Sequence, residues 1–260
     1  MKVPIARKRE LGQHFLVDEN IVAVAGRMAQ LGPDDVVLEV GPGLGVLTSH
    51  LVDRARFVHA VEIDRGLEPH LRQRLGTRTN VGLVFADALQ YPLADLDPPP
   101  NKFVSNLPYN VATSLVAESL DGLPSVELWC VMIQREVADR FFAAPGTKSY
   151  GAVSVLVQLT AERAGLHPVS RSVFRPPPNV DSALVSFRRL VQWGPEFAGV
   201  KRVVQAAFGH RRKTLVNALE LSGVERAGAA RALDTMELAA DIRAEGLAPP
   251  EFVKLAKLLQ

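Results

Sequence analysis

Apolar and polar positions along this chain follow two different periods. Short unbroken apolar runs predict strands at 36–41 ("VVLEVG"), 57–64 ("FVHAVEID"), 81–87 ("VGLVFAD"), 102–106 ("KFVSN") and 127–134 ("ELWCVMIQ"). Between them lie segments with helical spacing, such as "NIVAVAGRMAQL" at 20–31, which Gly32-Pro33 stops. Strands that are apolar throughout are buried on both faces, so this alternation predicts a mostly parallel sheet with helices on each side. "RAGLHPVS" (163–170) and "SALVSFRRL" (182–190) are expected to add antiparallel strands at one edge. After Leu190 the pattern changes to four short helical segments broken by glycine and proline. The boundary is expected near Val191–Pro195, giving an α/β domain over 1–190 and a small all-helical domain over 191–260.

Composition narrows the class without naming a function. Of 260 residues, 47% are hydrophobic and 22% charged, enough for a sizeable core and against global disorder. The net charge of +2 says nothing about nucleic acid. Two local clusters say more: Lys2, Arg7, Lys8 and Arg9 precede the first acid at Glu10, and "HRRK" runs from His210 to Lys213. Each alone is ordinarily solvated surface; together they make a polyanion partner worth testing. The single cysteine, Cys130, lies inside "LWCVMI" and reads as core filler in a reduced protein. The basic N-terminal stretch has no apolar segment behind it, and no apolar run is long enough to span a bilayer. A cytoplasmic protein with no membrane association is expected.

Chemistry first shows in "LEVGPGLGVLTSHL", where Gly41, Gly43 and Gly45 follow a strand and open a helix. Glycine permits the sharp turn and the close approach of a ligand, and open parallel sheets bind ligands beyond the carboxyl ends of their strands. The next strand ends at Glu62, 17 residues past Gly45, where a carboxylate can accept from both hydroxyls of a ribose. A dinucleotide fingerprint needs glycine at its sixth position, which here is Val46. The G-x-G-x-G spacing instead resembles the first motif of S-adenosylmethionine-dependent methyltransferases. In that class an acid at the end of the third strand, here Asp87, accepts from the adenine amino group. Taken alone, Asp87 reads equally as the cap of a helix.

"FVSNLPYN" (103–110) places Asn106, Leu107, Pro108 and Tyr109 just beyond the fourth strand. An adenine amino group is a poor nucleophile, its lone pair delocalised into the ring. Two acceptors on its N–H groups favour the rehybridised nitrogen and the positive charge that develops there. The Asn106 side-chain oxygen and the Leu107 carbonyl suit this role; Pro108 fixes φ and brings no competing donor, and the Tyr109 ring can stack on the base. Asn and Pro are also common turn residues, so the tetrapeptide alone reads equally as a turn.

With these residues in order, the chain resembles the small-subunit (16S) rRNA adenine N6-dimethyltransferases. The likeness extends through "LGQHFL" (11–16), "QREVADR" (134–140), "SYGAVSVLVQ" (149–158), "FRPPPNVDSALV" (174–185) and "FGHRRKTLVNAL" (208–219). It implies a class I, Rossmann-like methyltransferase sheet and S-adenosylmethionine as methyl donor, contacted by His14, Leu16, Gly41, Gly43, Glu62, Asp87 and Asn106. Many members have Asn in place of His14; an imidazole there would make cofactor affinity pH-dependent. The resemblance also implies the substrate: two adjacent adenines of a hairpin loop near the 3′ end of 16S rRNA in an immature small subunit. A loop base can be splayed out and held between rings, with Phe174 expected as the wall opposite Tyr109. Arg7, Lys8, Arg9, Arg211, Arg212 and Lys213 become phosphate contacts, a monomer is the default, and no metal is expected because no histidine has ligand spacing.

Two alternatives remain open. One is the related class that methylates large-subunit rRNA and confers macrolide resistance. The other is a ribosome-assembly factor that keeps the pocket without turnover.

Overall fold

A computed structural model describes residues 13–259. Its strands are β1 (Phe15–Leu16), β2 (Val36–Val40), β3 (Phe57–Glu62), β4 (Val81–Phe85), β5 (Lys102–Asn106), β6 (Leu128–Gln134), β7 (Ala161–Val169), β8 (Phe174–Arg175) and β9 (Ser182–Arg189). Its α-helices are α1 (Glu19–Met28), α2 (Val46–Val52), α3 (Glu68–Leu75), α4 (Ala112–Gly122), α5 (Arg135–Phe141), α6 (Ala152–Thr160), α7 (Phe197–Gly209), α8 (Leu215–Leu221), α9 (Arg226–Thr235) and α10 (Pro249–Leu258).

The chain forms two compact units. One comprises residues up to Ala138 with Arg163–Arg189, the other Asp139–Glu162 with residues from Leu190 onward. The strand-to-helix change expected at 190 is where the second long segment of the helical unit begins. Residues 139–162, expected in the larger domain, join that unit too. The reason lies in their side chains. Helix α6 buries Val153, Val155, Leu156 and Val157, and the buried Tyr150 donates its O–H to the Leu247 carbonyl at 2.9 Å. Phe208 bridges the rings of Tyr150 and Phe252 at 5.8 and 5.7 Å.

In the first unit a seven-stranded sheet runs in the order β4-β3-β2-β5-β6-β9-β7. Strands β4, β3, β2, β5 and β6 are parallel, and β9 pairs antiparallel to β6. Alternate residues face opposite sides. Val37, Val58, Val104, Cys130 and Leu184 share one core cluster with Val22 and Ala25 of α1 and Leu47 and Leu51 of α2. On the other face Trp129 stacks on Phe187 at 5.2 Å and donates its indole N–H to Ser119 of α4 at 2.8 Å. Burial pushes the Cys130 thiol up to about 12, so it is an inert packing group. The edge strand β7 carries Glu162, Arg163, His167 and Pro168, which suit an edge because they discourage further pairing. Outside this sheet, β1 and β8 form a two-stranded ribbon that pairs Leu16 with Phe174.

Arg189 locks the end of β9 to α4. Its guanidinium lies 4.8 Å above the Trp129 ring and donates to the carbonyls of Val126, Leu120 and Leu123 at 2.6, 2.9 and 2.9 Å. Two of these are orphan carbonyls at the C-terminus of α4, otherwise left without helical partners. Replacing Arg189 with Met keeps the stem over Trp129 and removes the donors. The expected loss is about 2–3 kcal/mol of stability, read as a lower urea midpoint at unchanged slope.

Candidate active site

The strand order reverses between β2 and β5: β3 and β4 lie to one side, β6 to the other. Loops leaving the two central strands therefore diverge and open a crevice at the carboxyl edge of the sheet. The cleft there holds roughly 1160 Å³ of empty space, open solvent at its mouth included. Its lining comes from residues 13–16, the glycine loop, the exits of β3 and β4, and the loop after β5.

The glycine loop needs its glycines at two points. Gly41 has φ +74°, and a β-carbon on it would also lie 3.5 Å from Pro108 Cδ, so the loops after β2 and β5 are in contact. Gly43, at φ +56°, would place a β-carbon 3.0 Å from the Phe15 ring. Its N–H donates to Glu62 Oε2 at 3.0 Å, while the Asp64 N–H donates to Glu62 Oε1 at 2.9 Å. Burial pushes the Glu62 carboxyl up, the N–H groups of Asp64 and Gly43 pull it back, and the Asp64 carboxylate adds to the rise. Asp64 in turn accepts from the Gly66 N–H at 3.0 Å and from Gln13 Nε2 at 2.9 Å, which ties the 13–16 segment to the exit of β3.

Asp87 lines the cleft and also caps its own turn. Oδ1 accepts from the Leu89 N–H at 3.0 Å and Oδ2 from Gln90 Nε2 at 3.2 Å. The capping and cleft positions coexist in one carboxylate.

The loop after β5 gathers three distant segments. Asn106 donates its side-chain N–H to the His14 carbonyl at 3.3 Å, leaving its Oδ1 without a partner among the described residues. His14 Nδ1 lies 2.9 Å from the Pro176 carbonyl, which only accepts, so Nδ1 carries the ring proton. The His14 ring stacks on Tyr109 with centroids 5.7 Å apart and planes 25° from parallel. The Tyr109 hydroxyl lies 2.6 Å from Ser182 Oγ. Leu107 is buried, its N–H donating to the Met132 carbonyl at 3.0 Å. Leu16 is buried in the core and also lines the cleft.

Of the residues expected from the sequence, His14, Leu16, Gly41, Gly43, Glu62, Asp87, Asn106, Leu107, Pro108 and Tyr109 all line this cleft. Phe174 does not, and the expectation is corrected. It is fully buried in the core cluster with Leu16 and Leu184, held there by the β1–β8 pairing. The ring opposite Tyr109 is that of His14. Arg211 also differs from a free phosphate contact: Nη2 donates to the Lys148 and Tyr150 carbonyls at 3.1 and 3.0 Å, bracing its own unit. Arg212 and Lys213 are exposed. Arg7, Lys8 and Arg9 lie outside the described residues.

Sequence reasoning missed four participants. Ile63 and Leu89 are 49% and 42% exposed on the cleft wall, apolar surfaces suited to the faces of a planar ring. Gln13 anchors the 13–16 segment as described. Glu39, inside β2, had a legible signal: it is the lone carboxylate of the run "VVLEV". It is 1% exposed and lines the cleft beside Thr48, and neither Glu39 Oε2 nor Thr48 Oγ1 has a hydrogen-bond partner among the described residues. Burial raises its carboxyl to about 8, the Thr48 hydroxyl opposes the rise and the Glu62 charge adds to it.

The lining contains Glu39, Glu62 and Asp87 and neither lysine nor arginine. Such a cleft suits a cation bearing hydroxyl and amino donors and is poorly suited to a pyrophosphate, so S-adenosylmethionine fits these residues where a dinucleotide does not. No group of three or more His, Cys, Asp or Glu side chains among the described residues could hold a metal ion. No helix among them is long and apolar enough to cross a membrane.

Fold and cleft together define a Rossmann-like S-adenosylmethionine-dependent methyltransferase. The chain belongs to the ribosomal RNA adenine dimethylase family, whose sequence model matches residues 6–260. It is 47% identical to ribosomal RNA small subunit methyltransferase A of Rubrobacter xylanophilus, over 95% of this chain and 93% of that one. The protein of the same name from Moorella thermoacetica is 40% identical over 97% and 92%. Among solved structures, a dimethyladenosine transferase from Plasmodium falciparum superposes with TM-score 0.78 at 24% identity, covering 93% of this chain and 96% of that one. The 23S rRNA methyltransferase ErmE gives TM-score 0.64 at 30% identity, covering 94% and 99%.

Two stability measurements follow from this geometry. Below about pH 4.5 Glu39 is protonated whether folded or unfolded; as pH rises toward 8 only the unfolded chain ionises, so its burial increasingly opposes folding and the effect levels off above 8. Glu39→Gln is therefore expected to match the parent near pH 4 and exceed it by roughly a few kcal/mol at pH 8, read from denaturation midpoints across pH. Phe174→Ala is expected to cost about 3–5 kcal/mol in the same assay, as loss of a fully buried ring does.

Proposed function

We propose that this chain transfers methyl groups from S-adenosylmethionine to N6 of two adjacent adenines in the 3′-terminal hairpin loop of small-subunit (16S) rRNA. The observation that carries the reading is the contact between two loops. The one that would hold the methyl donor, at Gly41, touches the one bearing Asn106, Leu107, Pro108 and Tyr109. Relatives at 40–47% identity that carry the small-subunit name support the choice of substrate.

When bound, S-adenosylmethionine supplies an electrophilic methyl on a sulfonium. The chain's residues do the rest by position. Glu62 retains lone pairs for the ribose hydroxyls after accepting its two backbone N–H groups, and Asp87 accepts from the adenine amino group between the walls of Ile63 and Leu89. On the acceptor side, Asn106 Oδ1 and the Leu107 carbonyl take the two N6 hydrogens, stabilising the charge that develops on nitrogen. Tyr109 stacks on the base and holds N6 in line. No general base is needed, because the N6 proton becomes acidic as the methyl arrives and leaves to water.

Arg212, Lys213 and the basic stretch Arg7, Lys8 and Arg9 supply phosphate contacts that position RNA without reading its sequence. We assign 191–260 an RNA- and ribosome-contacting role, take an immature small subunit as the substrate particle, and place a monomeric enzyme in the cytoplasm. The likeness to ErmE keeps large-subunit RNA as the alternative substrate.

Labelled S-adenosylmethionine offered to unmethylated small and large subunits, with mass analysis of the digested nucleosides, decides between them. Dimethyladenosine in two adjacent small-subunit positions is expected, reduced about 10²–10³-fold by Asn106→Ala. Label confined to large-subunit RNA, or tight binding without transfer, would sink the assignment.

A further inference from the structure

Ser182 is the first residue of β9 and is 1% exposed. Its neighbours along the strand, Ala183, Leu184 and Val185, are buried and apolar, so packing alone would be met by alanine. The one hydrogen bond its side chain makes among the described residues is the 2.6 Å contact with the Tyr109 hydroxyl. Tyr109, on a half-buried loop, has solvent available for that hydroxyl, so the buried partner is more than a means of satisfying it.

Register explains how the two meet. Asn106 at the end of β5 pairs with Met132, and Ser182 pairs with Gln134 at the end of the same strand, β6. The Tyr109 side chain thus steps from the loop after β5 across the end of β6 to the start of β9. A tyrosine ring turns about two side-chain bonds, and a stack on one face limits only part of that motion. Here the stack comes from His14, itself fixed at Nδ1 by the Pro176 carbonyl, and the bond to Ser182 removes the remaining freedom at the far end of the ring.

We propose that Ser182 is a positioning residue for methyl transfer, fixing the plane of the Tyr109 ring against the acceptor adenine through the bond between their hydroxyls. This rests on the function proposed above. Each transfer forms an N6–carbon bond, leaves a thioether on the donor and releases one N6 proton to water. The second transfer is the more demanding, because N6 then has one hydrogen in place of two for the acceptors at Asn106 and Leu107. With half of that grip gone, the ring plane sets more of the alignment. Loosening Tyr109 therefore slows the second methyl more than the first.

The test is single-turnover methylation of unmethylated small subunits with enzyme in excess, scoring the ratio of N6-methyladenosine to N6,N6-dimethyladenosine at early times. That ratio does not change when a variant merely lowers the fraction of folded enzyme. Ser182→Ala is expected to raise it roughly three- to tenfold with cofactor Kd unchanged by calorimetry, the effect of one lost hydrogen bond. Ser182→Thr, which keeps the hydroxyl, should restore it. Tyr109→Phe should reproduce the alanine result, and the double variant should equal either single one. A parental ratio in Ser182→Ala, or additive effects in the double variant, overturns the inference while leaving the function intact. Should Ser182→Ala fail to fold, Tyr109→Phe against Ser182→Thr carries the same decision. If the parent protein makes no methylated adenosine on small subunits, the functional reading itself fails and takes the inference with it.

Discussion

One carboxylate holds the site together. Glu62 is nearly fully buried at the end of β3, and its two oxygens accept from the backbone N–H groups of Gly43 and Asp64. The first bond fixes the glycine loop against the neighbouring strand; the second sets the turn that presents Ile63 and Asp64. Through Asp64 and Gln13 the constraint reaches the 13–16 segment, and through the His14 carbonyl and Asn106 it reaches the loop after β5. Backbone geometry in four separate stretches thus depends on a side chain that must also keep lone pairs for a ligand. Its raised pKa reflects that double duty: burial disfavours the charge, and the two N–H groups compensate only in part.

The sheet supplies the rigidity that such a network needs. Because β2 and β5 are adjacent central strands buried on both faces, the loops that leave them start from fixed points and meet at Gly41 and Pro108. On the far side β9 runs antiparallel, so its first residue lies at the same edge where β5 and β6 end. A reversed strand is what brings the 174–182 segment to the acceptor loop at all. Arg189, at the other end of β9, ties that strand to α4, whose first turn follows the acceptor loop directly.

Strand and helix periods carry most of this fold in plain view. "VVLEV" and "LWCVMI" can only be central strands, and ligand residues in an open parallel sheet must fall just past strand ends, which is why Gly41, Glu62, Asp87 and Asn106 are readable as a set. The features that are not legible lack a period or have an ambiguous one. The ribbon of β1 and β8 is two residues long on each side, too short for any alternation to register, yet it decides that Phe174 faces the core. An aromatic before "RPPP" looks the same whether it packs or stacks. Arg211 looks like its neighbours Arg212 and Lys213, and only tertiary structure shows it spent on carbonyls of residues 148 and 150. Residues 139–162 have ordinary helical spacing, and nothing local says which core that helix will join.

What distinguishes the site from the rest of the molecule is where acceptors go unfilled. Arg189 satisfies three carbonyls beside α4, His59 meets the Pro98 carbonyl and Asn80 reaches two more at the end of α2, so this sequence completes buried hydrogen bonds where folding alone is at stake. Around the cleft the pattern reverses. Glu39 Oε2 is buried and unpaired, Asn106 gives its nitrogen to His14 and leaves its oxygen open, and Glu62 keeps capacity beyond its two N–H groups. An unsatisfied buried acceptor costs about 1–3 kcal/mol, so this arrangement persists only where something else repays it. The open groups are acceptors, and no lysine or arginine is placed to fill them. The missing donors belong to a cationic, amino- and hydroxyl-bearing ligand on one side of the Gly41–Pro108 contact and to an exocyclic amine on the other. Stability forgone in the free protein is thereby held in reserve for the complex in which both sets are filled at once.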